Sequence, residues 1–132
     1  MSEITHADVV YGVQTAIAMY TQALDTGRTD DIVATFGAEA TSEIDGVGTF
    51  QGHDALQEVY AGMVPTAPQR HLVGNIVITS WTAGEAAATS DLVFLLRGEN
   101  GWAVQLLGRY EDVLVRDGDA WLFRSRKLSL TM

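Results

Sequence analysis

Apolar residues follow two rhythms along this chain. Val10, Val13, Ile17, Tyr20 and Leu24 recur at spacings of three and four, which places them on one stripe of a helix. The stripe predicts a long helix over residues 7–26. Thr5 to Asp8 ahead of it has the form of a capping box, and Gly27 is suited to stop it. The segment 29–36, TDDIVATF, predicts a short second helix capped by Thr29 or Asp30. Residues 39–44 read as a short strand, Asp45-Gly46 as a hairpin turn and 47–52 as the return strand. A third helix is expected over 53–63, followed by a loop carrying Pro65 and Pro68.

After the loop the period changes to two. Segments 71–81, 85–96, 102–116 and 120–130 read as four strands, and Asn100-Gly101 and Asp117-Gly118 mark tight turns between them. Helices first and a mostly antiparallel sheet second predict an α+β domain. Gly48, Gly52, Gly74 and Gly108 lie in or beside the strands, where glycine marks bends and bulges. The expected product is a strongly curved sheet closed by three helices into a cone with an interior.

The 132 residues suit one domain over 1–132. No cysteine is present, which excludes disulfides and thiolate chemistry. Formal net charge is −9, and the few basic residues are scattered. Nucleic acid and anionic membranes are therefore disfavoured as partners, and a small neutral organic molecule fits better. The N-terminus lacks the pattern of a secretory leader, so a cytoplasmic protein is expected. The sequence has no HExxH, Walker loop, GxGxxG in a strand–turn–helix setting, or GxSxG; no metal or cofactor is expected.

The candidate chemistry centres on His71. Strict alternation along its strand puts His71, Val73, Asn75 and Val77 on one face and Leu72, Ile76 and Ile78 on the other. Both faces are largely apolar, so the imidazole is expected inside, where it needs a partner. Asp25 offers one. It stands in the last turn of the long helix, where the dipole disfavours a carboxylate. Either a local turn interaction holds it there, or it orients a histidine and raises its basicity for proton abstraction. Tyr20 is either a core aromatic or a hydroxyl reaching a ligand. Asn75 either bonds backbone or donates to a ligand oxygen. Tyr110 and Asp112 share a strand face with Leu106 and Leu114. Arg109 and Glu111 face the other way, toward Arg124 or Arg126, in a structural pairing. Glu43 is a further pocket candidate on a strand short enough to expose it.

The segments MYTQALDTGRTDDIVATF, GVGTFQGHDAL, RHLVGNIVI and GRYEDVLVRDGDAWLFRSRK together resemble the SnoaL-like branch of the nuclear-transport-factor-2 / ketosteroid-isomerase-like superfamily. The resemblance spans nearly the whole chain. It implies a cone-shaped α+β barrel with a pocket between sheet and helices, and self-association through the outer sheet. A dehydratase and a dehydrochlorinase of that superfamily use a histidine–aspartate pair, and Asp25 and His71 occupy the matching places. The resemblance implies Asp25 and His71 as the catalytic pair; the residues themselves add Tyr20 as a catalytic candidate and Asn75, Tyr110 and Glu43 as substrate-binding candidates. The activity implied is cofactor-independent lyase or isomerase chemistry, dehydratase- or cyclase-like, on a small, largely apolar molecule. A non-catalytic binding or accessory domain on the same fold is the alternative. The apolar groups on both sides of 85–96 and 102–115 exceed what three helices can cover, so a homodimer is expected, with a trimer as the other option.

Overall fold

A computed structural model describes residues 3–131. The expected helices and strands are all present. Helix α1, His6–Asp25, opens on the expected capping box: Thr5 accepts from the Asp8 backbone while the Asp8 side chain accepts from the Thr5 N–H. Its buried stripe is Val9, Val13, Ala16, Ile17, Tyr20, Ala23 and Leu24, so Val9 and not Val10 leads it. Gly27, at φ 68°, ends the helix. Arg28 N–H reaches Ala23 O and Gly27 N–H reaches Leu24 O, a pairing that needs a left-handed residue at this point.

Helix α2, Thr29–Ala34, is capped by Arg28 without any side-chain bond; neither Thr29 nor Asp30 caps it. The helix is shorter than expected because strand β1, Phe36–Ile44, starts three residues earlier than the alternation suggested. β2, Gly48–Gln51, folds back on β1, and α3, His53–Ala61, follows. The sheet then runs through β3 (Gln69–Trp81), β4 (Glu85–Gly98), β5 (Gly101–Asp117) and β6 (Ala120–Thr131).

Strand order is β2-β1-β6-β5-β4-β3. All neighbours are antiparallel except β1 with β6, which run parallel. The sheet is mixed and open, with β2 and β3 at its edges. Helices and not strand pairing close the cone. One face packs on α1 in a core that includes Phe36, Tyr60, Leu114, Trp121 and Phe123. Gly12 makes that contact tight, since a Cβ there would collide with the Trp121 indole. No helix among the described residues is long and apolar enough to cross a membrane.

Register shifts interrupt β3–β4, β4–β5, β5–β6 and β1–β6. The shifts in β3–β4, β4–β5 and β5–β6 each add one residue to one strand, and between β1 and β6 the step from Phe36 to Thr41 runs opposite that from Phe123 to Ser125; an odd excess reverses which side chains face in. In β6 the inward row runs Trp121, Phe123 and then Arg126; in β3 it runs Gln69, His71, Val73 and then Ile76 and Ile78.

Candidate active site

The last residue of α1 meets the start of β3. Asp25 Oδ1 accepts from His71 Nδ1 at 2.6 Å and from Gln69 Nε2 at 3.2 Å, and Oδ2 accepts from the His71 backbone N–H at 2.8 Å. These bonds explain a carboxylate at the unfavourable end of a helix. A carboxylate can only accept, so Nδ1 carries the proton and Nε2 keeps its lone pair. The side chains of His71 and Asp25 are only 12% and 8% exposed. The ring lies on Phe94 with centroids 4.5 Å apart, its cross-strand neighbour on β4. Burial pushes the His71 pKa below its ordinary 6.5, helped by the Arg126 charge and opposed by Asp25. His71 is therefore neutral at pH 7.

His71 lines a cavity of about 260 Å³ between the sheet and the C-terminal end of α1. Its walls are mainly apolar: Leu24, Ile44, Met63, Leu106, Leu128 and Leu130 among them. Polar side chains enter from Gln69, Ser42, Tyr20, Tyr110 and Arg126. A larger groove, about 460 Å³, crosses the outer flank of α1 beside the β5–β6 turn. It holds none of the candidate residues, so size alone is a poor guide here and the chemistry marks the smaller cavity.

The remaining candidates divide. Tyr110 lines the cavity, and burial pushes its phenol up to about 12. Tyr20 also lines it, but its hydroxyl is held by Tyr60 OH at 2.8 Å, and Tyr60 OH by Ser42 Oγ at 2.9 Å. Tyr20 thus presents mainly its ring; burial raises its pKa well above 10.0 and keeps it protonated.

Asn75 does not join the site. It occupies the left-handed region at φ 51°, inside the β3 irregularity between Gly74 and Val77. The extra residue turns its side chain to the outer face. There Nδ2 donates to Asp91 Oδ2 at 2.8 Å, and Arg109 Nε donates to Asp91 Oδ1 at 2.9 Å. Glu43 contributes only at the rim. Its carboxylate is half exposed and lies 3.6 Å from Lys127 Nζ, while the inward place on β1 belongs to Ser42.

Arg126 is the residue that alternation misplaces. It is 2% exposed, and Nε donates to Asp112 Oδ1 at 3.0 Å. The expected pairing of Arg109 and Glu111 with Arg124 or Arg126 gives way to Arg109–Asp91, Arg124–Glu85 and Arg126–Asp112. The guanidinium carbon sits 3.6 Å from the Tyr110 ring centre, 4.3 Å from that of Tyr20 and 4.6 Å from that of Phe123. Nη1 and Nη2 have no hydrogen-bond partner among the described residues. Burial works against the Arg126 charge, but Asp112 and the phenol rings more than offset it, so the group stays charged. Asp112, in the inward row with Tyr110, was the available signal: a carboxylate there demands a cation on the next strand.

A histidine fixed by a helix-end aspartate, set in the wall of an apolar pocket within an α+β cone, defines a nuclear-transport-factor-2-like domain with a candidate proton-transfer site. The SnoaL-like domain family matches residues 6–127, and the chain belongs to that family. No curated protein matches it. Among solved structures, a scytalone dehydratase-like protein from Novosphingobium aromaticivorans superposes with a TM-score of 0.82 at 24% identity, over 93% of this chain and 84% of that one. A protein from Catenulispora acidiphila in complex with S-DNPA gives 0.83 at 22%, over 95% of both chains. A type 2 hexachlorocyclohexane dehydrochlorinase gives 0.81 at 14%, over 97% and 90%. These likenesses establish the shared fold.

Proposed function

We propose that the protein is a cofactor-independent lyase or isomerase acting on a small, neutral, largely apolar molecule, with His71 as base and Asp25 as its orienting partner. The observation that carries this reading is the 2.6 Å Asp25–His71 bond in the wall of a largely apolar pocket. His71 Nε2 takes a proton from a carbon beside an electron-withdrawing group. The electron pair left behind either expels a leaving group, as in a dehydratase, or is reprotonated elsewhere, as in an isomerase or cyclase. Negative charge building on the activating oxygen is met by the Tyr110 hydroxyl and the Arg126 guanidinium. This reassigns the role that the sequence suggested for Tyr20 and Asn75. The dehydratase-like and dehydrochlorinase neighbours support the reaction type, and the S-DNPA complex supports a small-molecule ligand.

One observation favours a non-catalytic binding domain instead: Asp25 also holds the backbone of β3, a bond that serves the fold without chemistry. Mass-spectrometric screening of hydroxy-ketones, epoxides and steroid enones in D₂O separates the two. The enzyme reading expects turnover or deuterium uptake that His71→Ala abolishes. Binding without turnover or exchange across the set favours the accessory domain. A cytoplasmic homodimer, with a trimer as the other option, completes the proposal; the exposed outer-face groups Leu72, Val77, Trp102, Val104 and Leu107 supply its interface.

A further inference from the structure

Gln69 begins β3, is 8% exposed, and lines the same cavity as His71. Its carboxamide has one end that donates and one that accepts. One end is fixed, because Asp25 Oδ1 lies 3.2 Å from Nε2 and a carboxylate accepts only from an N–H. A flipped amide would set two acceptors against each other. The Nε2 end is thus locked on Asp25, and Oε1 is locked on the opposite side. No hydrogen bond among the described residues reaches Oε1, although Gln69's backbone carbonyl does accept from Arg70 at 2.7 Å. The free acceptor stands two residues from His71 on the same inward row. Among the buried polar side chains of the pocket, Ser42, Tyr110 and Arg126 can all donate, while the carboxylates of Glu43 and Asp45 belong to its exposed β1–β2 rim. Gln69 supplies an acceptor that has no proton to give.

We propose that Gln69 is a specificity-determining residue: its locked amide oxygen binds a hydroxyl or N–H group of the ligand beside His71. The ligand class is therefore narrowed to uncharged molecules with a hydrogen-bond donor close to the carbon that His71 faces. The proposal deepens the enzyme reading above but concerns binding, so it is tested without turnover.

The test pairs 2-naphthol with 2-fluoronaphthalene, which is close in shape but has no donor. Binding of each is followed by NMR titration of the wild-type protein and of Gln69→Met, a variant of similar length with neither end of the amide. The wild type is expected to hold the naphthol roughly three- to tenfold tighter than the fluoro compound, the range of one neutral hydrogen bond. Gln69→Met is expected to bind both alike, with the His71 ring resonances showing the imidazole still in place. A wild type without preference overturns the proposal, and so does a preference that survives Gln69→Met, which would assign the hydroxyl to another group. If Gln69→Met does not fold, Gln69→Leu provides the second arm. It too lacks the acceptor oxygen, so the naphthol preference is expected to vanish, and its survival counts against Gln69. Loss of turnover in His71→Ala is a separate result and leaves this comparison intact.

Discussion

Asp25 and His71 are joined twice, once through the imidazole at 2.6 Å and once through the backbone N–H at 2.8 Å. One carboxylate therefore sets the tautomer of the ring and anchors the strand that carries it. Asp25→Asn separates the two tasks badly, because an amide has only one accepting atom to offer the three donors that the carboxylate serves, Gln69 Nε2 and the ring and backbone N–H of His71. Turnover on the true substrate is expected to fall by roughly 10²- to 10⁴-fold, the scale seen when such a ring takes the wrong tautomer. Nitrogen-15 NMR of the imidazole checks the cause, since the proton should move to Nε2. Unchanged turnover would remove Asp25 from the chemistry.

The pH dependence follows from a His71 pKa held below 6.5 by burial. The unfolded chain binds the proton more readily than the folded one, so folding stability contributed by this group is complete above pH 6.5 and declines as pH falls below it. The base is active when neutral. The acid limb of kcat/KM is therefore expected below pH 6.5, with a flat profile through neutrality. A limb centred above 6.5 would show that Asp25 outweighs burial.

Arg126 and Asp112 form a buried pair whose halves depend on each other. Burial alone would push the Asp112 carboxyl up, and Arg126 opposes that. Asp112→Ala leaves a cation among three rings with no counter-charge and is expected to cost about 3–5 kcal/mol. Replacing both residues together, Asp112→Leu with Arg126→Met, is expected to cost much less. Chemical denaturation of the single and double variants measures the difference.

The outer face predicts association. Val104 and Leu107 are 58% and 46% exposed on β5. Aspartate at both positions is expected to turn a dimer into a folded monomer, as read by light scattering and circular dichroism. A wild type that is already monomeric at high micromolar concentration would rule out the interface.

Much of the fold was legible because period and capping are local. The switch from helical to alternating spacing, the Thr5–Asp8 box and Gly27 each act within a few residues. Asp25 and His71 were legible for a related reason: a carboxylate at a helix C-terminus and an imidazole in a two-sided apolar strand both ask for partners. What alternation could not supply was phase. One extra residue near Asn75 sent that side chain outward and brought Ile76 in. Another shift, beyond Phe123, brought Arg126 in place of Ser125. Such shifts arise from the curvature of the whole sheet, and no short window of sequence carries them. Gln69 and Ser42 were missed because each is ordinary in its own segment; only the assembled cavity gives them a role.

The parallel pairing of β1 with β6 has a consequence for biosynthesis. β1 is made before β3 to β6, yet among the described residues its only sheet neighbour apart from its hairpin partner β2 is β6, the last of the six strands. While the ribosome is still producing the middle of the chain, the β1–β2 hairpin has no sheet to join. Ser42 and Arg126, on opposite sides of that seam, come together only when β6 emerges. The dyad can assemble once β3 exists, but the pocket it serves is among the last features of this domain to form.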